Sequence, residues 1–265
     1  MNRQRETTPS PDAPEPPDPA RSNLVHGSPV HGSPAHGSPA HGNPARVNPA
    51  RVNPDRALAA LKDADTRPSD IEQIVADSAL MKSRKVRLAV AAHLRTPRRI
   101  ALRLIRELYT FDLMQFSLMP VAPADLKRIA DDQLVTRLAS ISLGERVSLA
   151  RRSSGRVAAA LLLDKESRVW QAALENPRIT EAAVVRAMQK NGSSPAFIEA
   201  VCRHSKWSLR VEIRSALLRN AHTPLARALE FARRIPPAQL RDILHTSHLP
   251  EKIKEYLRKE MRAKG

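Results

Sequence analysis

The chain of 265 residues has almost none of the features that mark a secreted, disulfide-bonded or membrane-spanning protein. Its single cysteine, Cys202, cannot form an intramolecular disulfide, so nothing indicates an oxidising compartment. The longest apolar run, residues 157–163, is far too short to cross a bilayer. Residues 1–10 are polar and lack the apolar stretch of a signal peptide. We therefore expect a cytoplasmic protein without a transmembrane segment.

Aromatic residues and glycine are also scarce. Aromatic residues make up 3% of the chain, so a folded core must rely on leucine, isoleucine, valine and alanine. After residue 54, glycine occurs only at positions 144, 155, 192 and 265, which argues against the Gly-rich loops that hold nucleotides. The sequence contains no GxSxG, HExxH or CxxC motif. We expect neither a cofactor nor an enzymatic activity.

The charge of the chain is strongly unbalanced. It has 44 Lys and Arg residues against 27 Asp and Glu residues, and its formal net charge is +17. Such an excess favours anionic partners, which include nucleic acid, an anionic membrane face and an acidic protein surface. A basic surface that only keeps the protein in solution explains the same composition, and the charge says nothing about the fold.

Residues 1–54 differ in composition from the rest, and we predict that they form a disordered tail. They hold 12 of the 22 prolines and 4 of the 8 glycines. Pentapeptides of the types HGSPA and RVNPA start at positions 26, 31, 36, 41, 46 and 51. A segment so rich in Pro and Gly, with little to bury, cannot offset the entropy of ordering. The four evenly spaced histidines suit weak metal binding or, more simply, an expanded linker.

Residues 55–265 have the pattern of a helical domain. Leu209, Ile213 and Leu217 recur at intervals of four residues and place an apolar stripe on one helical face. Ser69 with Glu72 has the spacing of a capping box. Helix starts are predicted at the prolines, which are tolerated in the first turn: Pro68, Pro97, Pro123, Pro195, Pro224, Pro237 and Pro250. Thr96, Ser194 and Thr223, each followed by one of these prolines, are predicted N-caps.

An internal repeat is the strongest signal in the domain. Residues 86–104 align without gaps with residues 213–231, and a shorter copy lies at residues 169–180. The two long copies share six identities: Arg87 with Arg214, Ala89 with Ala216, Thr96 with Thr223, Pro97 with Pro224, Ala101 with Ala228, and Leu102 with Leu229. Each copy reads as a helix, a polar turn, an N-cap and a second helix. Such a unit cannot bury its apolar face alone, so units must stack.

A polar residue ends the first helix of each copy: His93, Asn176 or Asn220. We expect it to satisfy free carbonyls or to adopt the left-handed conformation. The repeat resembles the units of the HEAT and leucine-rich-repeat-variant families of α-solenoids. The resemblance implies a right-handed α-solenoid of stacked helical hairpins, and a scaffold that binds proteins or, in some members, nucleic acid.

Clusters of basic residues are the candidates for partner or polyanion binding. Equivalent helices of a solenoid form one wall, and basic residues repeated on them would track a phosphate backbone. Trp207, beside Lys206, is the one aromatic placed for stacking on a base. The candidates are Arg98, Arg99, Arg103, Arg106, Arg151, Arg152, Arg203, Lys206, Trp207, Arg210 and Arg214. We expect a scaffold that binds a protein partner, with nucleic-acid binding as the alternative.

Three further groups contain side chains that could bind a metal ion or act in catalysis. Asp242, His245 and His248 could hold a metal ion on one continuous helix, but Pro250 indicates that a helix ends there, and we expect a polar turn. Cys202 is expected to be a small core residue. Asp131 is expected at a helix start, where negative charge is favourable.

Overall fold

The computed structural model describes residues 53–190 and 194–262, and every regular element in these ranges is an α-helix. The predicted all-helical class is confirmed for this part, whereas the predicted tail, apart from its last two residues, lies outside it. The sixteen helices of the described residues are α1 Pro54–Ala60, α2 Pro68–Ala76, α3 Ser78–Met81, α4 Arg84–Ala92, α5 Arg98–Glu107, α6 Thr110–Leu118, α7 Ala124–Arg137, α8 Leu143–Arg152, α9 Gly155–Leu161, α10 Ser167–Leu174, α11 Glu181–Gln189, α12 Pro195–Arg203, α13 Val211–Leu217, α14 Leu225–Ala232, α15 Pro237–His245 and α16 Glu251–Arg262.

Prolines mark the helix starts, as predicted. Pro68, Pro195 and Pro237 are the first residues of α2, α12 and α15, where the missing N–H would be unpaired anyway. The other four stand immediately before a helix: Pro97 before α5, Pro123 before α7, Pro224 before α14 and Pro250 before α16.

The predicted N-caps are only partly correct. The Ser194 hydroxyl caps α12 by accepting the N–H three residues later at 3.1 Å. Thr96 and Thr223 do not cap the helices that follow them. Their hydroxyls donate backwards, each at 2.6 Å, to the carbonyls of Val90 and Leu217 in the last turns of α4 and α13. Each carbonyl also accepts a backbone N–H just after its helix, from His93 at 3.3 Å and from Asn220 at 3.0 Å, so the hydroxyl is a second donor to the helix end.

The predicted capping box at Ser69 and Glu72 is wrong. Pro68 is already the first residue of α2, so Ser69 lies inside the helix. A capping box forms instead at the start of α8. Ser142 accepts the N–H of Glu145 at 3.3 Å, and the Glu145 carboxylate accepts the N–H of Ser142 at 3.0 Å.

The helices that pack most extensively on each other are close together in chain order. Consecutive partners are α4 with α5, α6 with α7, and α8 with α9. Alternate helices also pack on each other in two series. The first series is α5, α7, α9, α11 and α13, and the second is α8, α10 and α12. No such pair is more than three helices apart among those described. Each helix therefore buries its apolar face mainly on near neighbours.

Alanine and the aliphatic residues build the core, as predicted from the scarcity of aromatics. Small side chains let adjacent helices approach closely, while leucine, isoleucine and valine fill the space between them. Fully or almost fully buried alanines occur throughout the series: Ala91, Ala101, Ala130, Ala150, Ala158, Ala173 and Ala228.

Polar side chains at helix ends connect successive parts of the fold. Asn176 is fully buried; its amide donates to the carbonyl of Ala150 at 2.8 Å and to that of Ser153 at 3.2 Å, and its oxygen accepts the N–H of Arg178 at 2.8 Å. Both carbonyls lie at the end of α8. One side chain thus holds its own turn and the end of an earlier helix.

The same arrangement recurs at other helix ends. Asn220 donates to the carbonyl of Met188 at 3.1 Å, and Ser247 donates to that of Leu218 at 2.6 Å. Each also accepts the N–H two residues later, as Asn176 does. His93 takes part through both ring nitrogens, since Nδ1 accepts the N–H of residue 95 and Nε2 therefore donates to residue 63 at 2.9 Å. The expected pairing of free carbonyls is confirmed, but the carbonyls belong to an earlier helix end.

Candidate functional site

Four of the candidate basic residues lie on α5, and all four are exposed. Arg98 forms an ion pair with Asp125 of α7, and Arg99 lies 3.8 Å from a carboxylate oxygen of Glu72. Within the described part of the chain, the side chains of Arg103 and Arg106 have no carboxylate partner. Helix α5 therefore presents two positive charges, on Arg103 and Arg106, that no described carboxylate neutralises.

Arg151 and Arg152 end α8 and are exposed. Basic side chains in the last turn of a helix interact favourably with its negative end, usually by about 0.3–1 kcal/mol. Neither side chain forms an ion pair with a described residue, so both charges remain available to a ligand.

The cluster Arg203, Lys206, Arg210 and Arg214 does not share one helical face. Helix α12 ends at Arg203 and α13 begins at residue 211, so the spacing crosses a turn. Arg203 pairs with Glu199, and the half-buried Arg214 donates from Nε to the carbonyl of residue 208 at 2.8 Å. Two of these four candidate side chains are therefore already engaged within the fold.

Trp207 is buried, so its predicted role in stacking on a base is wrong. Only 2% of the residue is exposed, and its indole N–H donates to the carbonyl of Leu174 at 3.0 Å. The Nζ of Lys206 lies 4.2 Å from the ring centroid. A buried indole with its N–H paired is an anchor between helix ends, in keeping with its large apolar surface.

An exposed aromatic beside basic residues occurs elsewhere, at Tyr109, which is 56% exposed. The guanidinium carbons of Arg84 and Arg87 lie 4.6 and 5.6 Å from its ring centroid. Arg84 also pairs with Asp112 at 3.0 Å. The sequence offered no signal for this contact, because Tyr109 lies more than twenty residues from both arginines.

A groove of about 870 Å³ crosses α8, α10 and α12. Its apolar surface comes from Leu143, Val147, Ala172 and Ala200. Gly144 also lines it, and a β-carbon at that position would have nothing within 4 Å, so the groove is open there. Successive helices of one series therefore border an open groove on the surface.

The polar residues of this groove give it a positive character. Arg151 and Arg168 line it, are exposed and have no ion-pair partner among the described residues. The carboxylate of Glu175, also in the lining, lies 3.1 Å from Nε2 of His204. An apolar surface beside two free guanidinium groups suits a segment that carries both apolar and acidic side chains.

The other groups considered from the sequence are poorly placed for catalysis. Cys202 is buried, as predicted, and burial raises the pKa of its thiol to about 11, which disfavours the reactive thiolate. Asp131 lies in the middle of α7 and not at a helix start. Burial raises the pKa of its carboxyl, and its Oδ1 has no hydrogen-bond partner. Asp242 and His245 lie in α15, but His248 follows in the turn.

Across residues 53–190 and 194–262, no three His, Cys, Asp or Glu side chains come together as ligands for a metal ion. None of the helices described in these ranges has the length and apolar character needed to cross a membrane. Comparison of the chain with protein-family models, with curated proteins and with solved structures found no match.

Proposed function

We propose that residues 55–265 form a HEAT-like, right-handed α-solenoid that serves as a non-enzymatic scaffold for a protein partner in the cytoplasm. The packing of each helix on near neighbours in chain order supports this proposal. So do the hydrogen bonds that recur from one helix end to the next. In a solenoid, equivalent helices stand side by side and present an extended surface to partners.

The groove across α8, α10 and α12 is the observation on which the proposal rests. The occupant that it favours is an acidic amphipathic segment of another protein. The apolar residues of that segment would cover Leu143 and Val147, and its carboxylates would pair with Arg151 and Arg168. Arginine suits this role because its planar group can bind a carboxylate through two parallel hydrogen bonds.

Fluorescence anisotropy with a labelled amphipathic peptide of Glu and Leu tests the proposal, and a peptide of Lys and Leu with the same spacing is the control. The full chain is expected to bind the acidic peptide only. The double variant R151E/R168E should weaken binding at least about tenfold, because both carboxylate partners become repulsive. The control R128E/R241E makes the same charge change at exposed residues outside the groove and should leave the affinity within about twofold.

Equal binding of both peptides would show that the charge of the segment does not select it, and equal losses in the two double variants would show that only the net charge of the chain matters. No binding of either peptide would remove the groove from the proposal.

The exposed face of α5 favours a second candidate, nucleic-acid binding, because Arg103 and Arg106 keep their charges free. Labelled DNA and RNA should then bind at about 50 mM salt and lose affinity steeply towards about 200 mM, as counterion release requires. The variant R103E/R106E should bind more weakly. Absence of binding to either nucleic acid at low salt would eliminate this candidate.

A further inference from the structure

A second cavity, of about 470 Å³, lies where the ends of α11, α13 and α15 meet. Its lining includes four basic side chains: Lys190, Arg219, His222 and His248. None of the described residues that line it is acidic. Its volume falls within the range of about 300–1,000 Å³ that is usual for small-molecule sites.

Arg219 is exposed and contacts only neutral groups, so its charge is not neutralised. Its Nε donates to the hydroxyl of Thr246 at 3.3 Å, and its Nη1 lies 3.5 Å from the carbonyl of Ser215. No carboxylate pairs with it in the described part of the chain. By contrast, Arg84 and Arg156 each form an ion pair with an aspartate. A guanidinium whose partners are neutral keeps its charge for binding an anion.

The carbonyl groups at these helix ends do not cancel the positive charge of the side chains. Helix C-termini carry partial negative charge through their unpaired carbonyls. Here the carbonyl of Met188 accepts from the Asn220 amide at 3.1 Å, and the carbonyl of Arg219 accepts the N–H of His248 at 3.0 Å. Two of these carbonyls are therefore already paired within the protein, and each imidazole of the lining offers an N–H in either protonation state.

We propose that this cavity binds the phosphate group of a small phosphorylated ligand. Arg219 is the principal contact, because its fork matches two phosphate oxygens. His222 and His248 donate to the remaining oxygens, with Lys190 at the edge. The site is separate from the groove across α8, α10 and α12, so its existence does not depend on the scaffold proposal.

Isothermal titration of the full chain at low ionic strength tests the site with pyrophosphate, with adenosine monophosphate and with adenosine. Pyrophosphate and the nucleotide are expected to bind, and the nucleoside is not. The variant R219Q should weaken binding at least about tenfold, since it removes a charge-assisted contact. R241Q changes an exposed arginine of the adjacent α15 that does not line the cavity, and it should change the affinity less than about twofold.

Two further variants keep the test decisive if R219Q does not fold. R219K retains the charge without the planar fork and should bind with intermediate affinity, and H248Q should weaken binding while the thermal midpoint stays unchanged. Three results would overturn the proposal: no heat with either phosphate compound, equal binding of adenosine and its monophosphate, or equal losses in R219Q and R241Q. Binding of oligonucleotides alone would also overturn it, in favour of an extended nucleic-acid surface. Unchanged binding of the acidic peptide in R219Q would show that the two sites are independent.

Discussion

Asn176 offers the sharpest test of how this fold is held together. Its side chain is fully buried and pairs with the carbonyls of Ala150 and Ser153 and with the N–H of Arg178. Both carbonyls belong to the end of α8, more than twenty residues earlier. Replacing Asn176 with Ala therefore removes a contact between two helix ends and the brace of one turn at the same time.

The expected loss follows from the groups left without partners. An unpaired polar group in a protein interior costs about 1–3 kcal/mol. The two carbonyls meet this condition, because Ala150 and Ser153 are themselves fully buried. The N–H of Arg178 belongs to an exposed residue and can form a hydrogen bond with water instead. We expect Asn176→Ala to lower the free energy of unfolding by about 3 kcal/mol.

Urea unfolding followed by circular dichroism measures the change. With a slope of about 2–3 kcal/mol/M, the midpoint should fall by roughly 1–1.5 M. Asn176→Asp separates hydrogen bonding from volume. The carboxylate has nearly the same shape but no N–H to donate, so it should be at least as destabilising as alanine near neutral pH. Asn220→Ala removes the equivalent residue, which is only half-buried, and should cost about 1 kcal/mol.

Three outcomes would refute this reasoning. The first is an Asn176→Ala midpoint close to that of the wild type, which would mean that water or a shift of the turn replaces the lost bonds. The second is a nearly normal stability of Asn176→Asp, which would leave shape as the sole requirement. The third is a larger loss of unfolding free energy for Asn220→Ala than for Asn176→Ala. It would show that the cost does not depend on how deeply the side chain is buried.

Four other substitutions have definite expected outcomes. Gly155→Ala should lower the urea midpoint by the equivalent of about 1–3 kcal/mol, because its β-carbon would lie 2.4 Å from the carbonyl oxygen of Arg178. Gly144→Ala is the matched control, since its β-carbon meets nothing within 4 Å, and it should be neutral or stabilising by up to about 1 kcal/mol. Trp207→Phe should cost about 2 kcal/mol by leaving a buried carbonyl unpaired, which denaturant unfolding would detect; an unchanged midpoint would contradict this. For Asp131, burial raises the pKa of the carboxyl, so the folded state binds this proton more tightly than the unfolded state. Its contribution to stability therefore falls as the pH rises above the ordinary aspartate range, and Asp131→Asn should gain thermal midpoint relative to the wild type between pH 4 and pH 7; a constant difference across this range would contradict the prediction.

Seven of the sixteen described helix starts could be predicted from the sequence because they depend on the local chemistry of proline. A proline fixes its own φ and lacks an N–H, so it belongs in or before a first turn wherever that turn packs. The roles of Thr96 and Thr223 were not predictable in the same way. A hydroxyl before a proline can accept from the next helix or donate to the previous one, and the ending of the previous helix decides which.

The candidate sites depended on contacts between distant parts of the chain. Sequence reasoning placed Arg98 and Arg103 among the same candidate basic residues, but Asp125, twenty-seven residues after Arg98, neutralises only the first. It also placed Trp207 on the surface beside Lys206, whereas the end of α10 covers the ring. Nothing in the local sequence shows which charges are neutralised or which aromatic residues are buried.

The sequence by itself determined that the described part of residues 55–265 is helical, where seven of the sixteen described helices begin, and which polar residues stand at several helix ends, because these properties depend on neighbours within a few positions. Only the tertiary structure decided which helices pack together, and therefore that Arg151 and Arg168 border one groove and Arg219 and His248 another cavity. Both spaces are bordered by elements 15 to 60 residues apart. Their composition depends on how helices pack, and a linear pattern does not record that.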